Sequence, residues 1–180
     1  MKLKRLVSAI LAVGMALTML PTAAFAADTP KYVTDLDFEA NGQPVLEGKT
    51  TEVSNSSSHE NPTYKATNST WSWSYSGGSY KLDFVNNTIF NPINGSPETV
   101  PCAVRNSGTI EGGNFEQTVF NLSTGVINGG HFTKVEGRTT YNSNGQPTGS
   151  GIVTGGYIHT YFSNEGQWGG AGAKLNGGIV

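Results

Sequence analysis

The sequence predicts an all-β protein in which a short parallel β-helix (a β-solenoid) follows an N-terminal cap region of strands and a hairpin. Charged residues make up only 13% of the 180-residue chain, fewer than amphipathic helices usually carry. Short runs of β-branched and aromatic residues are separated by turn-forming residues, which is the pattern of strands. A glycine-containing motif recurs in the second half of the chain, which indicates stacked repeats.

Residues 1–26 have the features of a bacterial secretory signal peptide. A basic start at residues 2–5 precedes the apolar run LVSAILAVGMALTML, and an Ala-Phe-Ala cleavage box ends at Ala26. An uncleaved membrane anchor is the alternative, but the apolar run is short for a bilayer span and Pro21 follows it. We therefore expect cleavage after Ala26, a secreted or cell-surface location, and no membrane span in the mature chain.

The charge and cysteine content disfavour several classes of function. The predicted leader holds three of the 11 basic residues and none of the 13 acidic ones, so the mature chain carries a net charge of about −5. Without a basic cluster in the sequence, binding to nucleic acid or to anionic membranes is not expected. The one cysteine, Cys102, allows no intrachain disulfide. We interpret it as a buried small hydrophobe rather than a catalytic thiol.

Residues 27–97 form the predicted N-terminal β region. It begins with two short strand candidates, KYVTDLDF at residues 31–38 and QPVLEG at residues 43–48. The polar run SNSSSHEN at residues 54–61 follows, and its composition predicts a loop.

A β-hairpin is predicted at residues 67–91, around a Ser-Gly-Gly-Ser turn. Trp71, Trp73 and Tyr75 alternate along its first arm and therefore share one face. Planar aromatic rings on a strand suit the stacking of sugar rings, so this stripe is one candidate binding site. The favoured interpretation is a hydrophobic cap on the first coil of a solenoid, because the second arm carries an apolar stripe as well.

Residues 98–180 form the predicted β-solenoid. Aligning the Gly-Gly pairs gives three copies, at 109–121, 126–135 and 152–164, with the pattern apolar-x-Gly-Gly-x-apolar-x-x-x-apolar-x-Asn. The first two copies lie 17 residues apart, and an excursion that turns at Asn144-Gly145 separates the second from the third. Seventeen residues at 3.3 Å each trace about 56 Å, enough for one turn of a narrow coil.

Each part of the repeat has a structural explanation. The glycine pair supplies a corner where side chains would collide. Phe115 and Val119 have the same parity and can face the interior together. An Asn at a fixed place in each coil can form a hydrogen-bonded ladder, with Asn121 in the first copy, Asn164 in the third and Asn106 in an upstream echo of the motif. A phosphate-binding glycine loop is disfavoured because each glycine pair precedes a strand rather than a helix.

The repeat motif at 109–121 and the Trp-x-Trp hairpin, which continues as x-Leu-x-Phe, resemble a known group of proteins. These are exported, glycine-rich repeat proteins of Gram-positive, gut-type bacteria, and the resemblance covers about residues 67–180. It implies a right-handed parallel β-helix and an adhesin-like or carbohydrate-binding-like role. Some related β-helices bind acidic plant polysaccharides, often with calcium, so the resemblance leaves calcium open as a cofactor.

Two columns of polar and aromatic residues flank the inward positions of the repeats and should point to solvent. They are Asn114, His131 and Tyr157 in the first column and Glu116, Thr133 and His159 in the second. Such a ledge can hold a glycan, and decoration of a solvated face is the other interpretation.

No metal site is predicted. His131 and His159 lie 28 residues apart and have no third ligand in the alignment. Asp35, Asp37 and Glu39 alternate in a predicted strand and share one face, where either weak calcium binding or an ordinary solvated edge is expected.

The predicted function is non-catalytic adhesion or glycan binding, with glycans or host and cell-surface polymers as partners. A polysaccharide lyase or hydrolase on the same scaffold is one alternative, but the acids of the repeat region do not align with one another. Arg105 and Arg138 also fall in different phases of the alignment. A structural stalk or spacer without a ligand is the second alternative.

The sequence ends at LNGGIV, in the middle of another repeat and without a polar cap. Solenoids need capped ends. We therefore expect a fragment of a longer repeat protein that associates end to end through its last coil.

Overall fold

The computed structural model describes residues 29–56, 59–66, 68–76, 78–163 and 174–175. Within these ranges the chain forms strands and one short 3-10 helix, which confirms the predicted all-β class. No helix in the described ranges is long and apolar enough to cross a membrane. The leader at residues 1–26, with its cleavage site, and Asn164 of the third repeat lie outside the described residues.

The strands of the N-terminal half are β1 Lys31–Tyr32, β2 Thr50–Ser56, β3 His59–Lys65, β4 Trp71–Ser76, β5 Ser79–Phe84, β6 Thr88–Phe90, β7 Thr99–Val100, β8 Val104–Asn106 and β9 Thr109–Ile110. The strands of the repeat half are β10 Asn114–Asn121, β11 Val126–Ile127, β12 His131–Gly137, β13 Thr139–Tyr141, β14 Pro147–Ser150, β15 Ile152–Val153, β16 Tyr157–Ile158, β17 Tyr161–Ser163 and β18 Lys174–Leu175. The 3-10 helix is Pro92–Asn94.

A six-stranded sheet is built entirely from parallel pairs, in the order β1–β6–β9–β11–β15–β18. Ile110, Ile127 and Val153 stand opposite one another in β9, β11 and β15. All three side chains are buried. The apolar residue before each Gly-Gly pair therefore forms one inward column, as the repeat alignment predicts.

A ten-stranded sheet changes from antiparallel to parallel pairing at β5. Strands β2 to β5 are antiparallel neighbours, and β5, β8, β10 and β12 follow as parallel neighbours. Strands β16 and β17 both pair with β12, and β7 pairs with β10. Because β5 pairs with β8, the sheet continues without interruption across the boundary predicted between residues 97 and 98.

The inward faces of the two large sheets share one hydrophobic core. Its centre is a stack of phenylalanine rings from both sheets. Phe84 and Phe90 have ring centroids 5.0 Å apart, Phe90 and Phe115 5.2 Å, and Phe115 and Phe132 4.9 Å. Rings at these separations gain from stacking as well as from burial.

The second glycine of each pair forms a corner before a strand of the ten-stranded sheet. Gly113, Gly130 and Gly156 have φ angles of 99°, 116° and 99°. A Cβ atom on Gly130 would lie 3.0 Å from the carbonyl oxygen of Gly113 in the preceding copy. Both the backbone conformation and this close approach favour glycine, which agrees with the predicted corner.

The predicted asparagine ladder has two rungs among the described residues. The buried Asn106 side chain donates through Nδ2 to Oδ1 of the buried Asn121 at 2.9 Å. The next strands place Gly137 and Ser163 in register with Asn121. The ladder therefore does not continue into the second copy, where glycine occupies the position, and in the third copy Ser163 stands at the level where the sequence alignment placed Asn164.

A one-residue difference between strands shifts the predicted alignment of the third copy. The register is irregular between Phe115 and Thr118 in β10, and after it Val119 pairs with Val135. In the next strand Tyr161 pairs with Val135. The sequence alignment placed Phe162 at this level, one residue too late, because it carried the spacing of β10 into a strand that lacks the irregularity.

The polar run at residues 54–61, predicted to be a loop, belongs largely to two paired strands. β2 and β3 form an antiparallel pair that continues to Ser56 opposite His59. β2 is the last strand of the ten-stranded sheet, and Thr50, Thr51 and Glu52 are exposed there. An edge strand with polar side chains shows none of the apolar alternation that identifies a half-buried strand.

The first predicted strand, at residues 31–38, is also shorter than expected. Only Lys31–Tyr32 is a strand, and the chain then makes a single bridge between Phe38 and Pro44. Asp35, Asp37 and Glu39 therefore do not share a strand face. The excursion in the repeats turns around Asn144-Gly145 as predicted, and its two arms, β13 and β14, pair antiparallel.

Candidate functional site

Three of the predicted site residues form a row on the outside of the ten-stranded sheet, which we call the ledge: Asn114, His131 and Tyr157. They lie in register on β10, β12 and β16, and each side chain is exposed. The His131 and Tyr157 rings have centroids 5.8 Å apart, and Tyr157 is 49% exposed. Thr99 of β7 extends the row beside Asn114.

The backbone holds the ledge in place through hydrogen bonds between copies. The His131 N–H donates to the Gly113 carbonyl at 2.8 Å, and the Tyr157 N–H donates to the Gly130 carbonyl at 2.8 Å. Each ledge residue is therefore positioned directly after a glycine corner. A rigid strand start of this kind fixes the spacing of the outward side chains.

The second predicted column is less regular than the ledge. Glu116, Thr133 and His159 are all exposed. Glu116 lies at the irregularity in β10, so it has no single partner in the next strand. His159 follows the end of β16, and its N–H donates to the Phe132 carbonyl at 2.8 Å. These residues border the ledge without forming an in-register row.

The tryptophans of the hairpin are core residues. Trp71 is 0% and Trp73 6% exposed, so they offer no ring face to a ligand and the sugar-stacking interpretation does not hold for them. Tyr75 is 37% exposed at the end of the same stripe. Tyr80 on the opposite arm is 53% exposed and stacks on Trp73 with a centroid distance of 5.4 Å.

A groove that the sequence did not predict crosses the outer face of the same sheet. Lys81, Arg105, Phe120 and Arg138 line a cavity of about 360 Å³. Arg105 and Phe120 are in register on β8 and β10, and the Arg138 guanidinium carbon lies 5.2 Å from the centroid of the Phe120 ring. Glu136 is the residue of β12 in register with Phe120, so Arg105 and Arg138 occupy different positions of the repeat, as predicted, although both line the groove. The signal for Arg105 and Phe120 was present, because Val104-Arg105-Asn106 echoes the end of the first copy.

Two carboxylates hold the arginines of the groove. Arg105 Nε lies 3.4 Å from Asp83 Oδ1, and Arg138 Nη2 lies 2.9 Å from Glu136 Oε1. Burial raises the pKa of the Asp83 carboxyl above its usual 3.8, and the positive charges of Arg105 and Lys81 oppose this without cancelling it. Ionisation of Asp83 is thus less favourable in the folded protein than in the unfolded chain.

The raised pKa of Asp83 predicts how an Asp83→Asn substitution changes stability with pH. The folded protein holds this proton more tightly than the unfolded chain does, so the contribution of Asp83 to stability falls as the pH rises from about 3.8 through the raised pKa. We expect the change in the free energy of unfolding caused by Asp83→Asn to be more stabilising, or less destabilising, at pH 7 than at pH 3.5. Urea unfolding at the two pH values measures this difference, and a larger benefit at pH 3.5 would contradict it.

Cys102 and the acidic residues offer no reactive or metal-binding centre in the described part of the chain. Cys102 is half-buried, and burial raises the pKa of its thiol to about 12, so it remains protonated at neutral pH. Among the described residues, no three His, Cys, Asp or Glu side chains are grouped as a metal site would require.

Comparison with protein-family models, with curated proteins and with solved structures finds no match to this chain. The ledge and the groove are therefore the observations on which a functional proposal can stand.

Proposed function

We propose that the protein is a non-catalytic, exported β-solenoid that binds glycans on the ledge of Asn114, His131 and Tyr157. The solenoid is supported by the pairing of the sheets, because each described copy adds one strand to the six-stranded sheet and at least one to the ten-stranded sheet. Parallel, in-register neighbours 17 residues apart, such as Asn114 and His131, are what one coil per repeat produces.

The observation that carries the proposal is the in-register row of exposed polar and aromatic side chains. Tyr157 and His131 present adjoining rings, and Asn114 adds an amide that can both donate and accept hydrogen bonds. Sugars are bound by this combination, because their ring faces are apolar and their rims carry hydroxyl groups. The resemblance to surface repeat proteins also supports a role in adhesion.

A glycan array, read with and without calcium, tests the proposal. We expect binding to a defined set of glycans, and about tenfold weaker binding by the His131→Ala/Tyr157→Ala variant, because each lost ring contact is worth about 0.5–1.5 kcal/mol. Tyr32→Ala is the matched control, since Tyr32 is 39% exposed on β1 in the other sheet.

Three results would contradict glycan binding at the ledge. Binding that the ledge variant leaves unchanged would place the site elsewhere. A blank array would favour the stalk or spacer. Release of reducing ends or unsaturated products from a polysaccharide would favour the enzyme on the same scaffold.

A further inference from the structure

The groove on the outer face of the ten-stranded sheet is a second candidate site, separate from the ledge. Its cavity of about 360 Å³ adjoins a second cavity of about 260 Å³, and the two share Lys81, Arg105 and Phe120 as walls. Together they form one groove that crosses β5, β8 and β10. The larger volume lies within the range of small-ligand sites.

Positive charge is concentrated around this groove although the chain is acidic. The chain has 11 basic residues and a formal net charge of −2. Three of the basic residues line the larger cavity: Lys81, Arg105 and Arg138. Two carboxylates, those of Asp83 and Glu136, lie against these three cations. The groove therefore has an excess of positive charge that attracts an anion.

The two guanidinium groups are held in place and still have donors for a ligand. Arg105 contacts Asp83 through Nε, and Arg138 contacts Glu136 through Nη2. A guanidinium group has five N–H donors, so the remaining ones can donate into the cavity that both residues line. Holding an arginine by a carboxylate reduces the rotamer freedom that is lost on binding.

We propose that this groove binds a sulfate or phosphate monoester carried on a sugar-sized ring. Lys81, Arg105 and Arg138 line one cavity, and a monoester has three terminal oxygens that can accept hydrogen bonds, whereas a carboxylate has two. Phe120 and Leu122 are the large apolar residues of the lining, against which the ring can pack. This site does not depend on glycan binding at the ledge.

Calorimetric titration of the protein with glucose 6-sulfate, glucose 6-phosphate and unmodified glucose tests the proposal. We expect at least one ester to bind, more weakly as the salt concentration rises, and glucose to bind at least tenfold more weakly than that ester. Tighter binding of the sulfate ester or of the phosphate ester identifies which anion the groove prefers. Equal affinity for glucose and both esters, or no binding of either ester, would overturn the proposal.

Substitutions in the groove locate the binding. Arg105→Gln/Arg138→Gln should weaken ester binding by about ten- to a hundredfold, because hydrogen bonds to charged groups are lost. Lys81→Gln leaves both arginine–carboxylate contacts in place and should weaken ester binding by about tenfold. This single variant tests the groove if the double variant fails to fold. Lys65→Gln, on β3 and paired with Glu52 at 2.6 Å, is the matched control. Full affinity in a folded Lys81→Gln or double variant, or loss of affinity in the ledge variant, would overturn the assignment to the groove.

Discussion

Replacing Phe115 by Ala should lower the free energy of unfolding by about 3–5 kcal/mol, as expected for a large side chain removed from a packed core. Phe115 is 0% exposed, and its ring lies between Phe90 at 5.2 Å and Phe132 at 4.9 Å. The substitution leaves a cavity where the two sheets and two successive copies meet. Urea unfolding followed by circular dichroism measures the change.

The adjacent residue provides the control for Phe115. Glu116→Ala alters an exposed side chain on the same strand and should change the free energy of unfolding by no more than about 0.5 kcal/mol. A loss of less than 1 kcal/mol for Phe115→Ala, or an equal loss for both variants, would show that the ring does not lie in the core.

Replacing Asn121 by Ala should cost about 2–4 kcal/mol, because polar groups of Asn106, Gly125 and Ile152 lose a hydrogen-bond partner. Asn121 Oδ1 accepts from Asn106 Nδ2 at 2.9 Å. Its Nδ2 donates to the carbonyl oxygens of Gly125 at 3.2 Å and Ile152 at 3.1 Å. The side chain thus links β8 of one sheet with β15 of the other.

An exposed asparagine in the next copy is the matched control for Asn121. Asn128 accepts one hydrogen bond from Thr154 Oγ1 at 2.7 Å at the surface, so Asn128→Ala should cost no more than about 1 kcal/mol. A double-mutant cycle of Asn106→Ala and Asn121→Ala should give a coupling energy of at least about 0.5 kcal/mol. Independent effects of the two substitutions would contradict the ladder.

The inward column of the repeats could be predicted from the sequence because it depends on spacing alone. Phe115, Phe132 and Ile158 each follow a glycine pair by the same number of residues, and the structure places them in register. The residue that pairs with Tyr161, Val135 on the neighbouring strand, could not be predicted in this way. One residue more in β10 than in β12 changes the register. In the third copy Tyr161 and Phe162 are adjacent aromatic residues, so the apolar pattern does not choose between them.

The ledge was predictable for the same reason as the core, and the groove was not. Asn114 and His131 follow the glycine pairs directly, so the repeat predicts that both occupy the same position in successive strands and point outward. Arg138 lies after β12 at the start of the excursion, where the repeat gives no phase. Its place beside Phe120 depends on where the hairpin of β13 and β14 leaves the sheet, and that is a tertiary feature.

The central claim is that successive copies stack in register, since this arrangement builds both the ledge and the groove. Asn114→His places a second imidazole directly opposite His131 on the neighbouring strand, and two adjacent imidazoles bind zinc. Asn144→His, at the tip of the excursion, is the control. At a zinc concentration 100 times the dissociation constant, the folded state of Asn114→His should gain about 2.7 kcal/mol, seen as a zinc-dependent rise in melting temperature that the wild type and the control lack. An equal response of all three proteins to zinc would contradict the in-register stack.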